Sequence, residues 1–118
     1  MKYLLILASD PSLPSPEPGD AGFEAYMAAW SEYTQALTAA GAHHSGEALQ
    51  PAETATTVRH DAGATTVMDG PFAELKEHLG GYYLIDVDTL DDAIEWARRV
   101  PIGTGSVEVR PVFPTDEF

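Results

Sequence analysis

Apolar and polar positions alternate between two rhythms along this chain, and glycine and proline mark where one gives way to the other. Residues 2–8, KYLLILA, are an unbroken apolar run of the kind a strand buried on both faces requires. Residues 9–19 hold four prolines and read as an exposed loop. Over 20–40 the spacing changes to three and four: Phe23, Tyr26, Met27, Trp30, Tyr33, Leu37 and Ala40 line one side of a predicted helix. Asp20 is placed to cap its start and Gly41 to end it.

The next block, 42–49, reads as an irregular strand with a bulge at Gly46. Residues 54–60 and 64–69 are rich in Thr and Val and predict a hairpin with the three-residue loop Asp61-Ala62-Gly63. Residues 69–81 suit one or two turns of helix or a tight loop. A second doubly apolar strand follows at 82–87, YYLIDV. Thr89 and Asp92 then open a helix over 89–100, with Leu90, Ala93, Ile94, Ala97 and Val100 on one face. Arg98, Arg99 and Pro101 close it. The last strand, 106–110, alternates cleanly, with Val107 and Val109 on one face and Glu108 and Arg110 on the other.

This order predicts an α+β protein: a ferredoxin-like sandwich, one domain over 1–118, with two main helices on one face of a mostly antiparallel sheet. Two helices cover one sheet face, yet 2–8 and 82–87 are apolar on both. A second copy of the same sheet is the simplest cover, so a two-fold homodimer with facing sheets, a dimeric α+β barrel, is expected.

Charge narrows the partners. The 118 residues carry a net charge of −13 and no cysteine. That balance argues against nucleic acid and against an anionic membrane surface, and it removes disulfides and thiolate chemistry. The first apolar run is too short for a signal sequence or a bilayer span, so a cytoplasmic location is expected.

The segment MDGPFAELKEHLGGYYLIDVDTLDDAIEWA, residues 68–97, resembles the DGPF branch of the YCII-related proteins. KYLLIL at the start, GEALQP at 46–51 and SVEVRPV at 106–112 resemble further landmarks of that family in order. The resemblance covers essentially the whole chain and implies a dimeric α+β barrel. Some family members carry a His–Asp pair proposed to be catalytic, and one relative resembles a dehydrochlorinase of a chlorinated aromatic. The histidine of that pair belongs on the first helix, which here carries Tyr26, Met27 and Trp30 and no histidine. DGPF members also occur beside extracytoplasmic-function sigma factors, which implies a signalling or accessory role.

Several residues are candidates for chemistry. Asp69 ends a strand before Gly-Pro; it is either a general base at a loop mouth or an Asx-type cap of its own turn. Arg110 can grip a carboxylate through two parallel hydrogen bonds or be held in an ion pair. His43 and His44 are expected on opposite faces of their strand, with Glu47 on the same face as His43 but about 13 Å away along it. His78 follows Lys76 shortly after the DGPF block, and Tyr82 and Tyr83 follow a Gly-Gly pair that marks a bulge or a close approach. No metal-ligand spacing, phosphate loop or nucleophile elbow is present, so no metal and no cofactor are expected.

Together these predict cofactor-independent acid–base chemistry on a small molecule: elimination, isomerisation or hydrolysis. Asp69, His44 or His78 would move the proton, and Arg110, Lys76, Glu47 and Tyr82 would bind the substrate. The alternative is a module that binds a ligand or a protein without turnover. Convergence of Asp69, Arg110 and a histidine on one point would favour the enzyme.

Overall fold

The computed structural model describes residues 1–71 and 77–115. Strands β1 (Lys2–Ser9), β2 (His43–Ala48), β5 (His78–Asp86) and β6 (Gly105–Pro111) form one antiparallel sheet in the order β2-β5-β1-β6. Helix α1 (Phe23–Ala39) connects β1 to β2, and α2 (Leu90–Arg99) connects β5 to β6. Each helix thus joins two parallel strands with a third strand between them, a split β-α-β arrangement used twice. The expected α+β layering, two helices on one face of an antiparallel sheet, is present. The hairpin of β3 (Thr56–Asp61) and β4 (Ala64–Asp69) does not join that sheet and forms a two-stranded sheet of its own.

The core lies between the helices and the sheet. Tyr3, Leu5 and Leu7 of β1 and Ile85 of β5 meet Tyr33 and Leu37 of α1 and Ala93 of α2. Leu5, Leu37 and Ile85 are fully enclosed. The alternate residues of β1, Leu4 and Ile6, pair with Leu84 and Tyr82 on the opposite face, where no helix lies. Across that open face run Glu47, Tyr82, Ile6 and Glu108 in one register row, with Leu84, Leu4 and Arg110 in the next.

The ends of the elements explain most of the boundaries. Helix α1 begins after Gly22 with no side-chain cap, because the Asp20 carboxylate accepts instead from the Glu17 amide at 2.9 Å. The expected Asp20 cap is therefore corrected. At the other end Gly41 takes the left-handed conformation, φ 72. The Gly41 amide donates to Thr38 O and the Ala42 amide to Leu37 O, a Schellman closure. Thr89 caps α2 as expected, its hydroxyl accepting from the Asp92 amide at 3.1 Å.

Three local expectations change. The bulge of β2 falls between His43 and Ser45, not at Gly46. The hairpin loop has two residues rather than three: Asp61 pairs with Ala64, and Ala62 and Gly63 both have positive φ, 49 and 94. Strand β5 starts at His78, so the Gly80-Gly81 pair lies inside it, where β1 shifts register between Leu7 and Ala8. A turn of helix over 69–81 is not formed at 78–81, and its centre, 72–76, lies outside the described residues. Among the described residues no helix is long and apolar enough to cross a membrane.

Candidate functional site

The bulge in β2 decides what faces the helices. It breaks the alternation, so His43 pairs with Ile85 on the helix face while Glu47 pairs with Tyr82 on the open face. The expectation that His43 and Glu47 share a face is overturned by this one extra residue. Gly46 is then free for another purpose. A Cβ there would come within 2.8 Å of Tyr83 Cδ1, so glycine makes the space in which the Tyr83 ring lies. Gly81 answers the same need on β5: a Cβ would sit 2.7 Å from Glu47 O.

These glycines leave a cleft of about 350 Å³ between α1 and the sheet. Tyr26, Met27, Trp30 and Thr34 line it from the helix, and Leu7, His43 and Tyr83 from the strands. Tyr83 is fixed on three sides: its hydroxyl is 2.8 Å from Thr34 Oγ1, its ring meets Tyr33 edge-on at 5.2 Å, and it meets His43 edge-on at 6.2 Å. Tyr33 in turn donates to Trp96 O at 2.8 Å, and burial pushes its hydroxyl well above the ordinary tyrosine range. Tyr26 and Trp30 contact edge-on at 6.2 Å.

On the far side of Trp30 a second hollow of about 540 Å³ opens between the proline-rich loop (Leu13, Pro14, Pro16) and Ile102. Leu7, Tyr26, Trp30 and Gly80 border both hollows. Trp30 Nε1 is buried, with no hydrogen-bond partner among the described residues. Buried polar groups are almost always paired, so this donor, shut off from the cleft as the ring now lies, is an unmet hydrogen bond beside the cleft. No Lys or Arg among the described residues lines either hollow.

The residues singled out from sequence are dispersed within one chain. Asp69 ends β4 on the separate hairpin and is exposed; the Gly70 amide donates to Ala55 O at 2.7 Å. The Gly70 amide is taken by Ala55 O and Pro71 has no N–H, so the amides an Asx cap would bind, from residue 72 onward, lie outside the described residues. Arg110 is on β6 and pairs with Glu108, Nε to Oε2 3.6 Å, both well exposed. His44 is exposed on β2, at the opposite edge of the sheet, where its charge reaches Asp86. Asp86 is held below the usual carboxylate range chiefly by a hydrogen bond from the amino-terminal group at 2.9 Å. His78 pairs with Ser9, and Arg110 with Leu4, so they stand at opposite ends of the sheet. Glu47 and Tyr82 are neighbours on the open face and border the cleft from the β2 side. Lys76 lies outside the described residues.

Arg110 and the histidines of the main sheet therefore stand apart in a single chain, on opposite edges or at opposite ends. His43 is the histidine that the fold brings to a cleft, because the bulge of β2 falls between His43 and Ser45 and not at Gly46. Among the described residues no cluster of His, Asp and Glu is arranged to hold a metal ion.

An uncharacterized protein of Rhizobium meliloti (strain 1021) is 55% identical over 67 residues, an alignment covering 54% of each chain. The chain thus matches about half the length of that curated relative. The profile of the YCII-related domain matches residues 1–116, and the chain belongs to that family.

Proposed function

We propose that this YCII-family chain acts as a homodimer and that the α1–sheet cleft of each copy binds a small, uncharged aromatic molecule bearing a hydrogen-bond acceptor. The observation that carries the reading is the aromatic wall of the cleft, Tyr26, Met27, Trp30 and Tyr83; the unpartnered Trp30 N–H is closed off behind that wall and would meet an acceptor on a guest once the indole ring turns. Rings of this kind favour edge-to-face contact with an aromatic guest. The lack of lysine and arginine among the described lining residues favours a ligand without a carboxylate. His43 is the imidazole that lines the cleft, so it is the proton-transfer group of the catalytic form of this reading. The chemistry is cofactor-free proton transfer, of the class that includes elimination and isomerisation. The homodimer rests on Leu4, Ile6, Tyr82 and Leu84, apolar side chains on the uncovered sheet face.

Acetophenone and ethylbenzene test the cleft, since they share a ring and differ in the acceptor. Two tryptophans give two indole N–H resonances, and Trp30→Phe assigns them. Acetophenone is expected to move the Trp30 resonance and ethylbenzene to leave it in place. If neither moves it at millimolar concentration, the binding reading fails. Exchange of the acetophenone methyl protons in D2O then tests catalysis, with loss of at least tenfold in His43→Gln expected. Binding without exchange would make the cleft a receptor rather than an active site.

A further inference from the structure

A lone two-stranded ribbon is at best marginally stable in water, yet the β3–β4 hairpin belongs to no larger sheet. Val58 and Val67 form a cross-strand pair on one of its faces, and Met68 stands opposite Thr57 on the other. Val58, Val67 and Met68 are 51%, 67% and 45% exposed. The base of the hairpin is nonetheless fixed: the Gly70 amide donates to Ala55 O and the Thr57 hydroxyl to Gly70 O, both at 2.7 Å. It is a ribbon held at its root with its valine pair and Met68 facing solvent.

The dimensions of the chain say the same. It exposes 8501 Å², against about 6,200 Å² for a folded chain of this mass. Its radius of gyration is 16.4 Å, against about 13.5 Å for a compact domain of this length.

We propose that the β3–β4 hairpin is an arm that lies against a second copy of this chain, and that the two arms are exchanged about the two-fold axis. The inference rests on the dimeric reading above but on different residues from those of the open sheet face. Two arguments select a second copy as the occupant. The surplus of roughly 2,300 Å² per chain exceeds the ~800 Å² per partner of a standard interface and falls in the range of obligate homodimers. Two chains of net charge −13 also repel, so contact between copies is favoured where acidic residues are few. The hairpin fits: residues 56–69 hold Arg59 against Asp61 and Asp69 alone. Exchange about a two-fold axis uses each arm once on each copy and leaves no surface open for further growth.

Sedimentation of the full chain, with hydrogen exchange of the hairpin amides at two concentrations, tests this. The wild type is expected to sediment as a dimer, with β3–β4 amides protected at high concentration and unprotected at low. The double variant Val58→Asp, Val67→Asp is expected to raise the dimer dissociation constant by on the order of a hundredfold or more. Its far-UV spectrum should be unchanged, because neither side chain enters the core. Ile6→Asp separates the two interfaces. If it dissociates the dimer while the hairpin variant does not, and the hairpin amides exchange freely at every concentration, the arm is refuted and the sheet-face dimer stands. A wild type that is monomeric throughout refutes both.

Discussion

β1 and the β3–β4 hairpin are both built from side chains that suit strands, and their fates differ. Leu5 is completely enclosed and Leu7 is 7% exposed, while Val67 is 67% exposed. Composition separates them in part, since β1 is nearly all apolar while the hairpin intersperses Thr, Arg and His with its valines. The chain that follows completes the difference: β1 leads into α1, which returns over its own sheet, whereas β3 leads through two residues into β4 and back. A strand is covered when its connection carries a helix back onto it, and a hairpin meets only itself.

This contrast is sharpest under core substitution. Leu37→Ala is expected to cost about 3 kcal/mol in urea unfolding, because a fully enclosed leucine leaves a cavity. Val58→Ala in dilute solution should cost under about 0.5 kcal/mol, the range of exposed positions. Comparable costs at the two sites would mean that the hairpin already shares the core.

Tyr33→Phe probes the covered half more finely. It removes the hydrogen bond to Trp96 O, worth about 1 kcal/mol. The pH dependence has a definite sign. Because folding raises the Tyr33 hydroxyl, its neutral form contributes stability that is complete below about pH 10 and declines as pH rises above it. The phenylalanine variant should lose that part of the alkaline decline, read as a shallower fall of the urea midpoint above pH 10.

The smallest effect belongs to the hairpin turn. Ala62 sits at φ 49, which disfavours a side chain by roughly 1 kcal/mol. Ala62→Gly should slow exchange of the β3–β4 amides by about fivefold while leaving the global urea midpoint of the dilute chain unchanged. A shift of that midpoint would show one cooperative unit where two are expected.

The layering was legible because it is written in local pattern. The three- and four-residue spacing over Phe23 to Leu37, the Thr89–Asp92 pair and the unbroken KYLLIL run each point to one element only. The cleft was not legible. It depends on one extra residue between His43 and Ser45, and a bulge changes which face a side chain takes without changing the residue types present. Asp20 misled for a related reason: an aspartate near a helix start can cap the helix or the preceding turn, and the proline-rich loop brought the Glu17 amide to it first. Arg110, Asp69 and the histidines were grouped by chemical type, and only strand order reveals that β2 and β6 are opposite edges of the sheet.

The aromatic contacts described above form a sequence of their own. From Trp96 on α2 the rings run through Tyr33, at 6.0 Å, and Tyr83, at 5.2 Å, to His43 at the cleft wall. Tyrosine excitation passes efficiently to indole over such separations. The protein therefore carries an optical reporter on each side of its core: Trp30 takes excitation from Tyr26 at the cleft wall, Trp96 on the second helix takes it from Tyr33, and a guest that disturbs Tyr83 is read at the distant indole as well as the near one.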